Sequence, residues 1–189
     1  MRTLHLLSFL ILGTTSLITL ASCSHNNKAM MDKTDSLTAV VVRMEMEINA
    51  LPVDSMKWIM DSIAFDVRML ESLIGDDTIQ LKVATTIDNY SRIRRSFSKL
   101  QGSLAAQKND IALAKKQLAD MYADLEAEVM PPQAFQQFFP SESAAINSLS
   151  EANGSMLQWY SNSRDRYFAL RPTIASLIAQ RRDALKQAQ

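Results

Sequence analysis

A single cysteine in 189 residues excludes an intrachain disulfide, so nothing covalent staples this fold. Four glycines and five prolines are few for the length; they argue against a turn-rich β architecture and suit long helices. The two histidines, His5 and His25, both lie near the amino terminus, and no histidine–cysteine metal spacing exists. No Ser-His-Asp or Cys-His pair can be assembled around a nucleophile, and no glycine-rich phosphate loop is present. Charge of either sign is not in excess: Lys plus Arg and Asp plus Glu number 20 each, which gives no argument for a nucleic-acid partner. These absences predict a protein that is not an enzyme and that holds no metal or other cofactor.

What is present is a long apolar repeat. Stepping by sevens from Val83 reaches Tyr90, Phe97, Leu104, Ile111, Leu118 and Leu125. A second seam, by sevens from Ile79, reads Thr86, Ile93, Leu100, Gln107, Ala114 and Met121. Two apolar seams at heptad spacing predict one helix from Ile79 to Val129, about 50 residues or roughly 75 Å. The alternative is two shorter helices hinged at Gly102. The seams stay in phase across Gly102, and an outer glycine costs only about 1 kcal/mol, so continuity is the better reading.

The flanking segments read as two more arms. Leu37, Val41, Met44, Ile48 and Leu51 step by three and four, with the helix opening near Met31 and Asp35 as its cap. Pro52 interrupts, Asp54 or Ser55 can cap a restart, and Met56, Met60, Ile63, Val67, Leu70 and Ile74 resume out of phase. Gly75-Asp76-Asp77 is a stop, turn and cap. After Met130-Pro131-Pro132, the stretch to Pro140 is expected to hold one or two short helical turns, with Ser141 capping the last arm. That arm carries Ile146, Asn153, Tyr160, Tyr167, Ile174 and Arg181 on one seam, and Leu149, Met156, Ser163, Leu170, Leu177 and Ala184 on the other. Pro172 falls at an outer position and should kink this helix without ending it. Arms of about 31–74, 78–129 and 141–187, joined by short connections, predict an all-α fold: an elongated antiparallel three-helix bundle or coiled coil, its first arm broken near Pro52. Residues 23–90 hold 6 basic and 11 acidic side chains, whereas 91–189 hold 13 and 9. The acidic first arm is therefore expected to pair with the basic stretch Arg92, Arg94, Arg95 and Lys99.

The amino terminus reads as an address. Leu6–Leu20 is mostly apolar, the length of a signal segment and short for a transmembrane helix. It ends in Leu20-Ala21-Ser22-Cys23, which resembles the lipobox of bacterial lipoproteins. The resemblance covers residues 1–23. It implies cleavage between Ser22 and Cys23, diacylation of Cys23 and acylation of the new amino terminus, with palmitate among the chains. Two or three acyl chains, at about 0.8 kcal/mol per buried methylene, make a stable anchor where one would be marginal. Ser24 stands where the family places aspartate for inner-membrane retention, so the resemblance implies the outer membrane, facing the periplasm. On this reading residues 1–22 are a signal peptide, 23–30 a lipidated polar tether and 31–189 the helical bundle. The arms also resemble, in pattern alone, small helical coiled-coil envelope lipoproteins.

Few residues invite a chemical role. Carboxylate pairs such as Glu126 with Glu128, or Asp76 with Asp77, read as solvated faces and caps. Met44, Met46, Met56 and Met60 could offer thioethers to copper(I), but they fall on or beside the seam, where methionine is an adaptable core filler. Trp58, Trp159 and Tyr160 read as packing anchors. In an up-down-up bundle the Pro131–Pro140 connection returns to the membrane side, so Phe135, Phe138 and Phe139 are candidates for contact with the bilayer or a membrane-side partner. The alternative is that they plug the end of the bundle against Met30 and Met31. The function this predicts is a membrane-anchored, non-catalytic scaffold or adaptor for another envelope protein. A periplasmic holding chaperone or small-ligand carrier is the rival. Self-association stays open, because heptads can be satisfied between chains.

Overall fold

The computed structural model describes the backbone of residues 4–75 and 77–187, with side chains from residue 27 onward. The side chains of residues 1–26, including Ser22 and Cys23, and the whole of Asp76, lie outside the described residues. Every regular element among the described residues is a helix: α1 (Leu4–Asn49), α2 (Val53–Ile74), α3 (Leu81–Glu126) and α4 (Pro132–Gln187). The fold is an all-α antiparallel bundle of three arms, with the first arm broken into α1 and α2.

The break lies at residues 50–52, as the out-of-phase seams require. Pro52 precedes the first residue of α2 and no side chain caps that helix, so neither Asp54 nor Ser55 does the work expected of it. Met56 instead donates its N–H to the Pro52 carbonyl at 3.1 Å. Gly75 closes α2 with a positive φ of 54°, a conformation that only glycine reaches without strain. Two expected caps lie inside helices. Asp35 is interior to α1, which also covers the segment 23–30 expected as a tether. Ser141 is interior to α4 and donates to the Phe138 carbonyl at 2.9 Å. The helix starts at Pro132 because a proline at the first position loses no hydrogen bond, and its fixed φ is already helical. It continues through Pro140 and Pro172, both exposed, where each ring removes a single backbone bond on the outer side.

α3 runs unbroken through Gly102, which is exposed and has open space where a Cβ would stand. From Tyr90 to Leu125, every member of both seams is buried. Beyond the end of α3, Glu128 takes φ 57°, and the Val129 N–H returns to the Asp124 carbonyl at 3.0 Å.

Two compact units form, Met1–Glu45 with Asp110–Ser150, and Met46–Asn109 with Glu151–Gln189. In the first, Met30, Met121, Leu125 and Phe135 make one buried cluster, and Glu45 of α1 pairs with Lys115 of α3. In the second, rings fill the interior. Tyr90 of α3 stacks on Tyr167 of α4 with centroids 5.9 Å apart, and Phe97 meets Tyr160 at 6.0 Å. Both buried tyrosines keep their hydroxyls satisfied: Tyr90 donates to Asp66 at 2.8 Å and Tyr167 to Ser62 at 3.0 Å. The seam positions Asn153, Gln107 and Ser163 are buried polar groups, and the Asn153 amide nitrogen donates to Glu47 at 2.8 Å.

The complementarity expected between the acidic first arm and the basic stretch of α3 does not form. Arg92 and Arg95 pair with Asp88 on their own helix, and Lys99 lies over the Trp159 ring at 5.3 Å. Asp88 lies one turn from Arg92 and two turns from Arg95 on the same helix, within reach of both side chains. The ion pairs of the second unit that do join separate segments include Arg181 with Asp77 at 3.1 Å.

Two expected outcomes follow from this core. Burial, the hydrogen bond to Asp66 and the charge of that carboxylate push the Tyr90 phenol above its ordinary value. Above about pH 10 the unfolded phenol loses its proton while the native one keeps it, so stability should fall as pH rises past that point. Urea titrations of Tyr90→Phe should show about 1–2 kcal/mol lost at neutral pH and a shallower fall in alkali. Gly102→Ala should raise stability by about 1 kcal/mol in the same assay, because it replaces an exposed mid-helix glycine without a clash.

Candidate functional site

The residues singled out for function separate into four groups. Ser22 and Cys23 fall within the span of α1, but their side chains lie outside the described residues.

The three phenylalanines are on the first turns of α4 and do not act together. Phe135 is 3 % exposed and sits in the cluster with Met30, Met121 and Leu125. Met31, Met130 and Phe139 pack around it, and the rings of Phe135 and Phe139 stack at 4.7 Å. Phe135 is thus a core residue with no surface left for a bilayer or partner to touch. Phe138, 50 % exposed, instead borders an open depression with Met121, Asp124 and Met130. The helical period explains the split: residues 135 and 139 stand about 40° apart on one face, and 138 stands about 60° from 135 and about 100° from 139. A shallow depression of about 220 Å³ beside the cluster is lined by Met30, Phe135, Phe139 and Pro140, with Lys33 and Gln136 among its polar groups.

The basic stretch of α3 borders an open groove against α2 of about 470 Å³. Arg68, Arg94 and Arg95 line it, but so do Glu71 and Asp88, and the last is engaged by Arg92 and Arg95. Its mixed sign makes it a solvated polar surface rather than a strong anion site. The methionines divide in the same way as the phenylalanines: Met44 and Met56 are buried in the core, and Met46 is exposed. Among the described residues no three His, Cys, Asp or Glu side chains converge as metal ligands. Among them, too, no helix is long and apolar enough to cross a membrane.

One surface feature escapes the seam analysis. Trp58 is 52 %, Phe65 56 % and Phe168 55 % exposed. Trp58 meets the edge of Tyr167 at 5.9 Å, and Tyr167 meets Phe168 at 5.1 Å. The Arg171 guanidinium lies 5.8 Å from the Trp58 ring centre and 5.9 Å from that of Tyr167. The hydrogen bond from Tyr167 to Ser62 sets the level of α4 against α2. The signal was available: Trp58 and Phe65 are seven apart and lie on neither side of the α2 seam. They form a second apolar stripe, on the outer face.

Comparison with protein-family models, with curated proteins and with solved structures yields no match.

The division among the phenylalanines has a direct measure. Phe135→Ala should cost about 3–4 kcal/mol in urea unfolding, as a cavity in a packed core. Phe138→Ser should stay within about 0.5 kcal/mol of the parent. Equal effects of the two would mean that the α4 entrance packs differently.

Proposed function

We propose that the protein is a lipid-anchored, non-catalytic component of a bacterial cell envelope that holds another protein on its helical surface. The observation that carries this reading is the tetrad Leu20-Ala21-Ser22-Cys23 at the end of an apolar segment, with Cys23 as the chain's sole cysteine. Acylation there would tie the helical arms to the membrane through Cys23, and Ser24 favours the outer membrane with the arms in the periplasm. The filled interior supports an adaptor over a carrier. Tyr90, Tyr167, Phe97 and Leu100 occupy the centre of the second unit, where a small ligand would need space. The working surface of such a protein is its outer face.

A second reading, a periplasmic holding chaperone, draws on a different observation. Phe65, Phe138 and Phe168 are large apolar groups on the outside, and exposed apolar area is what a holdase offers to unfolded chains.

Metabolic labelling with an alkyne-bearing fatty acid tests the anchor. The parent chain should take up label and partition with membranes, and Cys23→Ser should lose both by tenfold or more. Label retained on Cys23→Ser would overturn the lipoprotein reading.

A further inference from the structure

We propose that the shallow depression between α1 and α4, beside the Met30 cluster, binds the headgroup and first methylenes of an anionic phospholipid. Its lining is sorted for such a ligand. Ala29, Phe139 and Pro140 form a carbon wall, with Met30 and Phe135 as its buried floor. Lys33 is the only charged residue that lines it, and the Gln136 amide is a second donor. Lys33 is exposed and makes no ion pair among the described residues. Its acidic neighbours stand on other faces of α1. Asp32 lies about 100° from it and is held by Lys28 at 3.2 Å, and Asp35 lies about 160° from it. An ammonium with no carboxylate beside it, at the edge of an apolar wall, suits a phosphate carried on an alkyl chain.

The sign of the charge singles out this depression. A second one at the first turns of α4 places Asp120, Asp124 and Glu142 around Phe138, and a phosphate is repelled there. In the groove between α2 and α3, Glu71 and Asp88 share the lining with the arginines. Position supplies the ligand. Six residues separate Cys23 from Ala29, which is about 9 Å along the helical path of α1 and at most about 22 Å for any backbone. Acyl chains on Cys23 would therefore hold the depression within reach of the headgroup layer, roughly 5–8 Å deep on each side of a bilayer. The choice of a membrane lipid rests on the lipoprotein reading, whereas the chemistry of the site does not. A free fatty acid shares that chemistry. An open depression of about 220 Å³ does not enclose a whole alkyl chain, however, and a phospholipid can leave its tails in the bilayer.

Titration with dihexanoyl phosphatidylglycerol, kept below its micelle concentration, tests the site. The readout is the methyl resonance of Met30, assigned by its loss in Met30→Leu. The parent chain and Cys23→Ser are both titrated. Because the lipid is supplied in solution, Cys23→Ser scores the site whether or not position 23 is acylated in the parent. The expected result is a saturable shift on Cys23→Ser, with dihexanoyl phosphatidylcholine and hexanoate each binding at least fivefold more weakly. Lys33→Glu in the same chain should weaken the anionic lipid at least fivefold; should that variant misfold, Lys33→Gln replaces it with at least a twofold loss. Absence of a saturable Met30 shift overturns the proposal. So does a smaller preference over the zwitterionic lipid, or affinity unchanged by whichever Lys33 variant folds. Hexanoate binding within fivefold of the lipid overturns the choice of a phospholipid in favour of a free fatty acid.

Discussion

The structure depends on burial of the two apolar seams of α3. A helix of 46 residues with a glycine near its middle has little reason to persist alone in water, since helix stability in proteins comes mainly from packing one face. Here the packed face is continuous from Tyr90 to Leu125, and each large side chain withdrawn from water contributes about 1.5–3 kcal/mol. The arms on either side supply the complementary surface. In the first unit that surface is Met30 from α1 and Phe135 from α4. In the second it is chiefly α2 and the ring of Tyr167.

Polar atoms inside these seams set alignment rather than strength. Each buried tyrosine reaches a specific acceptor on α2, Asp66 for Tyr90 and Ser62 for Tyr167. A shift of either helix by one turn would leave a buried hydroxyl unpaired, at about 1–3 kcal/mol. Asn153 constrains α4 in the same manner through Glu47. Surface charge contributes less. Most of the ion pairs are exposed, and several lie within one helix, a class worth about 0.3–0.5 kcal/mol each.

With the interior occupied, what remains for function is the outside. The outer surface is not uniform: it carries a mixed-charge groove between α2 and α3 and an aromatic face between α2 and α4.

The heptad spacing by itself determined the helical class, the continuity of α3 through Gly102 and the break at residues 50–52. Each rests on local rules: period, phase and the geometry of proline. The seam positions also identified most of the core, down to the buried Gln107, Asn153 and Ser163, although they missed the buried Ile59 and included the exposed Ala184. Tertiary structure alone decided the rest. Phe135 and Phe138 are indistinguishable by type and setting, and only the packing of α4 against Met30 buries one and exposes the other. Arg92 to Lys99 could have reached the acidic first arm, but nearer groups, Asp88 and Trp159, engage three of the four. Trp58 looked like a core anchor by size, yet the α2 seam was already filled by Met56, Ile59 and Ile63. Which side chain a crowded interior excludes depends on its neighbours from other helices, and that cannot be read along one.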